Sequence, residues 1–575
     1  EDFSEFNFDP YQQGAALHVC KNAMTVILGR GGCGKTYVVA SIIRKYLDHL
    51  EENRRLTKIK ERSKKMQDGE WLGCSEDTKE EKEGDDGDEE KDEDRESPVI
   101  LLTAPTGRAA SILKRRTGMK ARTLHSVLGT ARKSNTEEFI YSKVEILVVD
   151  ECSLVPISVL PEVLSTLLGF SLKKVIFLGD QHQLPSIDPG NFLQDIIEVF
   201  NHNFIQTLET NHRNDEGGKL IVENARRIAE ERRSDLIYER DRFEMIDIPV
   251  CKAGNGQAQM IRELIENHAQ LQNHKNSQLV AFKNIDVENI NKVCCKYYAG
   301  HATFRKGAQH NHHILDKICA RKNSTIRILG RSNPKDKDKK KQDAGGSEVK
   351  VDNQRQREGQ AGLSKKKEEK GVELYRISNG DTFFIENLRE VVENDGKKKE
   401  IATLQSMDEE EGTLFDVDFK EMRSRSKIQY AWARTIHTFQ GSEVDYIVYM
   451  ISPNSYYETW QHLYTAITRG CKGCIIVGTP ARLRNVLEKN PRPRQTSLAR
   501  FLRENLRELM IRSRPNLGEV DPRTPERPVP RNVFSSNRAT ASSPCQWTPA
   551  QEQPVRGSPF HLPSSSNPAP SVRSP

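Results

Sequence analysis

The run Gly29-Arg30-Gly31-Gly32-Cys33-Gly34-Lys35-Thr36 sets a lysine and a threonine behind a glycine-rich loop. Glycines at this spacing let backbone N–H groups converge on phosphate oxygens. A lysine there brings a point charge to β- and γ-phosphates, and the threonine hydroxyl is a ligand for Mg²⁺. Gly29, Gly31, Gly32, Cys33, Gly34, Lys35 and Thr36 are therefore the candidate site for ATP with Mg²⁺. Further on, Asp150 and Glu151 stand side by side after Val148-Val149. Beside a phosphate loop, the first carboxylate suits the metal ion, while the second suits a water that must be oriented and deprotonated. The pair predicts hydrolysis and not binding alone. Gln183, within Leu178-Gly179-Asp180-Gln181-His182-Gln183-Leu184-Pro185, is placed to sense the γ-phosphate. Arg213 and Arg469 are candidates for neutralising the charge that develops during phosphoryl transfer.

Such groups need rigid strand ends to hold them. Thr25 to Leu28, Val99 to Leu102, Ile146 to Val149 and Val175 to Leu178 are β-branched apolar runs, each closed by a polar, glycine- or acid-bearing cluster. Parallel strands covered on both faces read this way, with the chemistry at their carboxyl ends. They predict one doubly wound α/β lobe within residues 1–213. A second lobe follows, with strands at Leu279 to Phe282, Ile428 to Trp432, Tyr446 to Met450 and Cys474 to Gly478, and helices at Trp460 to Thr468 and Ala481 to Glu488. It starts in residues 214–330, after connecting helices, and ends in 427–511. Between these parts, residues 372–426 carry the turn Asn379-Gly380 and alternating runs such as Thr382 to Ile385, which suggest a small β-barrel insert. Arginines reaching across two such lobes would make hydrolysis depend on closure of the cleft.

Only 35% of the chain is hydrophobic and 30% is charged, so part of it must lie outside any packed core. From Ser75 to Glu96, fourteen acidic residues face four basic ones. A disordered acidic insert is expected at about 51–97, a Lys-rich linker at 331–371, and a Pro/Ser-rich tail at 512–575. The net charge of +6 suits an anionic partner but is too unevenly spread to decide one. Eleven cysteines without a disulfide spacing suggest a reducing compartment. Cys471 and Cys474 read as part of a buried strand rather than a metal site. His310, His312 and His313 read as solvated loop residues. No apolar run reaches the length of a membrane-spanning helix. The opening Glu1-Asp2-Phe3 shows neither signal peptide nor initiating methionine, so a fragment is expected.

The order of these motifs resembles superfamily 1 helicases, in particular the RecD-like branch. Besides the phosphate loop, Asp150-Glu151 and Gly179 to Leu184, the resemblance rests on Thr103-Ala104-Pro105-Thr106-Gly107-Arg108-Ala109-Ala110 and Thr123-Leu124-His125. It extends to Thr435-Ile436-His437-Thr438-Phe439-Gln440-Gly441-Ser442-Glu443 and Tyr464 to Arg469. It implies two RecA-like lobes, with a short hairpin in the first, at about 129–141, and an SH3-like barrel in the second. The hairpin would offer Phe139 and Tyr141 as its aromatic wedge. A glutamine before the phosphate loop would read adenine, either Gln13 or its neighbour Gln12. Pro105, Thr106, His125, Thr435 and His437 would line a single-strand channel.

The resemblance further implies an ATP-dependent DNA helicase travelling 5′ to 3′. The acidic insert, linker and tail favour a nuclear protein of replication or the damage response, with shuttling to the cytoplasm. On this reading the acidic insert binds replication protein A, and proline-directed kinases act at Thr524, Ser543, Thr548 and Ser558. A 5′ to 3′ RNA helicase and a nucleotide-switched, single-strand-binding scaffold stand as alternatives, because phosphate tracking and stacking barely separate RNA from DNA.

Overall fold

A computed structural model of the 575-residue chain describes residues 3–67, 98–132, 139–200, 204–213, 215–247, 255–306, 309–332, 373–392, 398–407, 414–453 and 455–512. In the first lobe, six parallel strands run in the order Ala121–Thr123, Ile100–Ala104, Ile146–Val149, Lys174–Gly179, Met24–Gly29, Ile205–Leu208. Successive side chains leave on opposite faces. Leu147 and Val149 join Val26, Leu28 and Phe177 in one core, while Ile146 and Val148 join Ile27, Val38 and Ile43 in the other. Both faces are covered, which is why these strands read as unbroken apolar runs. The two strands the sequence did not reveal, Ala121–Thr123 and Ile205–Leu208, are short and carry Arg122, Gln206 and Thr207.

The second lobe is a five-stranded parallel sheet in the order Ala433–Thr435, Ser277–Ala281, Val444–Met450, Gly470–Val477, Phe243–Ile246. The run expected as one strand at Ile428 to Trp432 instead serves two sheets. Gln429–Tyr430 pairs antiparallel with Lys317–Cys319, and the parallel strand begins only at Ala433. At the crossover, the buried Gln278 side chain donates to the carbonyls of Ala431 at 3.1 Å and Trp432 at 2.8 Å, tying down the backbone between the two strands.

The insert is larger than 372–426. Seven antiparallel strands run in the order Leu374–Ile377, Ser324–Ser332, Leu414–Asp418, Lys398–Ser406, Thr382–Val392, Lys317–Cys319, Gln429–Tyr430. The first two in chain order precede the Lys-rich segment, so the insert starts near residue 317. Its end strands do not pair with each other among the described residues, so where a small SH3-like barrel was expected the sheet forms a curled half-barrel. Alternate residues such as Ala402, Leu404, Phe415 and Val417 fill its core with Phe383 and Phe419.

Three other expectations are corrected. Residues 51–67 are not part of a disordered insert: the helix Lys35–Gln67 runs through them, with residues 51–60 exposed, and the rest of the acidic insert lies outside the described residues. Phe139 and Tyr141 cannot be a wedge against a duplex, because both are buried in the first lobe's core, edge to face with ring centroids 5.5 Å apart. Part of the hairpin they were assigned to, 133–138, lies outside the described residues, as do the linker at 333–372 and the tail at 513–575. His312 is not a solvated loop residue either. It is 3% exposed, with Nδ1 3.7 Å from Asp316 and its ring against Tyr430. Finally, the chain returns from the second lobe to the first. Arg494 donates to the Gly190 carbonyl at 2.8 Å, Thr496 to Asp195 at 2.6 Å, and Leu498 and Leu502 of the helix Leu498–Arg512 pack on the first lobe's core.

Candidate functional site

The phosphate loop joins the strand Met24–Gly29 to the helix Lys35–Gln67. Gly32 at φ +92° and Gly34 at φ +77° hold backbone that side chains with a Cβ rarely adopt, and a Cβ on Gly34 would collide with Gln12 Nε2. Lys35 Nζ curls over the loop, donating to the carbonyls of Gly29 at 2.6 Å and Arg30 at 3.1 Å. The Thr36 hydroxyl donates to Asp150 at 3.4 Å, so the two candidate metal ligands face one another. Burial, then the charge of Glu151, pushes the Asp150 carboxyl up to about 6, against the pull of the Glu151 N–H, Lys35 and Arg116. A hydroxyl beside a carboxylate whose charge is unfavourable at this depth, under a loop of converging N–H groups, fits Mg²⁺ carrying nucleotide phosphates. Bound there, the ion would supply positive charge to the phosphates, with Thr36 and Asp150 as its protein ligands.

Glu151 follows at φ +49°, a left-handed conformation that costs a non-glycine residue about 1–3 kcal/mol. Arg469, 4% exposed, approaches it from the second lobe with Nη1 3.6 Å from Oε1. Arg213 lies along the phosphate loop and reaches across, donating to the carbonyls of Gly470 at 2.8 Å and Thr468 at 3.3 Å. A Cβ on Gly32 would lie 2.9 Å from Arg213 Cγ. The two arginines thus meet at the seam between the lobes. A further pair at this seam carried no sequence-derived role: Arg116 of the helix Gly107–Thr117 forms an ion pair with Glu443. Burial opposes the charge of Glu443, but Arg116, Arg469, Arg213 and Lys35 hold its carboxyl below the usual range. Glu443 sits inside a motif the sequence shows, whereas its partner is a helix arginine with no motif of its own.

Gln183 is buried and donates to Asp180 Oδ2 at 3.3 Å, while its Oε1 has no hydrogen-bond partner among the described residues. Asp180 also accepts from the buried Tyr464 hydroxyl at 2.8 Å, and Leu184 N–H donates to Thr465 at 3.0 Å. The sensor loop is therefore tied directly to the second lobe's helix Trp460–Ile467.

The two glutamines separate cleanly. Gln13 is exposed on the helix Pro10–Lys21, whereas Gln12 is buried and donates from Nε2 to the Cys33 carbonyl at 3.3 Å, with His212 Nε2 at 2.9 Å. Of the two candidates, it is therefore Gln12 and not Gln13 that lies against the phosphate loop. The signal lay in the sequence: Asp9-Pro10-Tyr11-Gln12 is a capping box with proline at the first helical position, which turns Gln12 back toward the helix start. Against the upward push of burial, hydrogen bonds from Gln12 N–H, His212 and Tyr11 N–H hold Asp9 below the usual carboxylate range, fixing that corner. Gln12→Ala is expected to raise the KM for ATP about tenfold and to erase preference for ATP over GTP. Gln13→Ala should change neither, as read by steady-state hydrolysis of both nucleotides.

The expected channel residues divide. Thr435 and His437 line a cleft of about 1050 Å³ together with Gln183, Phe282, Tyr457 and Arg492. Burial, then Arg494, lowers the pKa of His437 where it faces that cleft. Pro105, Thr106 and His125 are not among its lining residues. Thr106 accepts from Ala109 N–H at 3.2 Å as the cap of the helix Gly107–Thr117, and His125 is exposed on the helix Leu124–Ala131. Thr106 lies near the second lobe all the same, since a Cβ on Gly441 would sit 3.6 Å from its Oγ1.

Residues 7–247 match the AAA domain family and residues 430–477 the UvrD-like helicase C-terminal domain family. The chain belongs to the superfamily 1 helicases. Within them it is similar to DNA helicase B of Mus musculus, at 31% identity over 549 residues, 88% of this chain and 47% of the mouse protein. It therefore spans about half the length of that relative. RecBCD enzyme subunit RecD of Mycolicibacterium smegmatis is 30% identical over 138 residues, 20% of this chain and 24% of that protein. The Pif1 helicase from Bacteroides, in its complex with ADP-AlF3 and ssDNA, superposes with a TM-score of 0.40 at 15% identity, covering 88% of this chain and 98% of that one.

Proposed function

We propose that this chain is the motor of an ATP-dependent DNA helicase, hydrolysing Mg·ATP between its lobes to move 5′ to 3′ along single-stranded DNA and open the duplex ahead. The observation that carries this reading is the meeting of Glu151 in one lobe with Arg469 of the other at 3.6 Å, beside Asp150 and Thr36. A hydrolytic carboxylate completed by an arginine from the opposite lobe makes turnover depend on closure, and closure is what moves a strand. Lys35 and the loop hold the phosphates, Gln12 holds the base, Glu151 activates water and Gln183 senses the γ-phosphate. Pro105, Thr106, His125, Thr435 and His437 contact the strand. The work is placed in the nucleus, in replication or the damage response. Replication protein A on residues 75–96 and proline-directed kinases on the tail are its partners.

The test is displacement of a labelled strand from duplexes bearing a 5′ or a 3′ single-stranded tail, in DNA and in RNA, with Lys35→Ala as control. Displacement confined to 5′-tailed DNA and lost in Lys35→Ala is the expected result. Displacement of RNA alone would sink the choice of substrate. Strand-stimulated hydrolysis without displacement would replace the helicase by a nucleotide-driven scaffold.

A further inference from the structure

Away from the nucleotide cleft, a buried cysteine, a histidine and a buried aspartate converge at the root of the half-barrel. Cys295 is on the helix Asn284–Tyr298, His301 follows in the loop, and Asp316 immediately precedes the strand Lys317–Cys319. Cys295 and Asp316 are fully buried, and the His301 side chain is about one-fifth exposed. His301 Nε2 lies 2.8 Å from Asp316 Oδ1 and 3.6 Å from Cys295 Sγ, while Sγ and Oδ1 are 4.0 Å apart. We propose that Cys295, His301 and Asp316 bind a Zn²⁺ ion that pins the second lobe's helix to the first strand of the half-barrel.

The distances are those of a tetrahedron waiting for its centre. With Zn–S near 2.3 Å and Zn–N or Zn–O near 2.0–2.1 Å, ligand atoms around tetrahedral zinc stand roughly 3.3–3.6 Å apart, and each separation here lies within about half an ångström of that range. The donor set selects the metal: thiolate with imidazole suits zinc, whereas Mg²⁺ and Ca²⁺ take oxygen ligands. A His301–Asp316 ion pair would account for two of the groups. It leaves out the thiol, which faces both of them from the helix Asn284–Tyr298 although the residue belongs to a largely apolar buried cluster. Asp316 is also held from behind: its Oδ2 accepts from His313 N–H at 2.8 Å, and the buried His312 has Nδ1 3.7 Å from the same oxygen. The exposed His313 lies beside the three, its ring centroid 4.3 Å from that of His301.

Sequence spacing hid this set. The outer two residues are 21 positions apart in sequence, and the short strands Phe304–Lys306 and Gln309–Asn311 pair with each other between His301 and Asp316, bringing distant ligands together. A zinc ion here would close the base of that hairpin as a disulfide would, but reversibly.

The experiment uses the full chain, purified without chelator, with bound zinc measured by inductively coupled plasma mass spectrometry after dialysis against equimolar zinc. One equivalent is expected, and exchange for Co²⁺ should give a thiolate-to-cobalt charge-transfer band on the unaltered chain. Cys295→Ser and, separately, Asp316→Asn should each lower zinc affinity by at least about 10–100-fold and abolish or shift that band. Cys471→Ser should leave both unchanged, and basal ATP hydrolysis should persist in Asp316→Asn. An unaltered chain without zinc or a cobalt–thiolate band overturns the proposal. So does zinc that stays on Cys295→Ser and leaves on Cys471→Ser.

Discussion

In the Glu151→Gln chain, ATP hydrolysis is expected to fall by about 10²–10⁴-fold while nucleotide binding survives. Glutamine has the same size and carries the left-handed backbone at φ +49° at a similar cost, so the fold around the strand Ile146–Val149 should be undisturbed. What it lacks is a lone pair basic enough to take a proton from water. Binding follows from the other carboxylate. Burial and then the charge of Glu151 push Asp150 up to about 6, so removing that charge lowers the Asp150 pKa. More of Asp150 is then ionised near pH 6, where Mg·ATP affinity should be equal to or tighter than that of the unaltered chain. Single-turnover hydrolysis and equilibrium titration with a fluorescent ATP analogue separate the two quantities. A variant hydrolysing within tenfold of the parent would remove Glu151 from its assigned role, and a variant that no longer binds would show that the substitution had damaged the site.

How much of this was legible beforehand depends on how local each signal is. The phosphate loop, Asp150-Glu151 and Gln183 lie at the ends of apolar strands, where a strand's covered faces and its polar exit are written in one short run. Gln12 was legible as well, through the capping box on Asp9, once helix geometry is applied to it. The half-barrel's extent was not, because Ser324–Ser332 and Leu374–Ile377 pair across a long Lys-rich segment, and composition gives no hint that the pairing spans it. The wedge assigned to Phe139 and Tyr141 failed for a different reason. Phe139 and Tyr141 are aromatic residues in a polar neighbourhood, a pattern that fits an exposed wedge and a small core equally, and their burial among the first lobe's apolar side chains decides for the core. The charge network of Arg116, Glu443, Arg213 and Arg469 forms only when two lobes meet, so no window of sequence contains it.

That network carries the second large effect. Arg469→Ala is expected to cut the turnover number by about 10³-fold or more with the KM for ATP changed only a few-fold, because its guanidinium faces Glu151 rather than the phosphate loop. Arg213→Ala should lower turnover and also raise KM, since its side chain runs along Gly31 and Gly32 while its guanidinium grips the carbonyls of Thr468 and Gly470. Lysine should not replace it, because one ammonium cannot reproduce the planar fork spanning two carbonyls. Those carbonyls flank Arg469 in sequence, so each arginine helps to place the other and the two losses should not add: the double variant should turn over ATP only slightly more slowly than the worse single one. Stimulation by single-stranded DNA should vanish in all three, because a strand that closes the lobes has nothing left to complete. Steady-state hydrolysis with and without a DNA strand measures all of this. Fully additive losses, or an Arg469→Ala chain still stimulated by DNA, would mean that closure and hydrolysis are coupled through other groups, with the bridge from Asp180 to Tyr464 the next to alter.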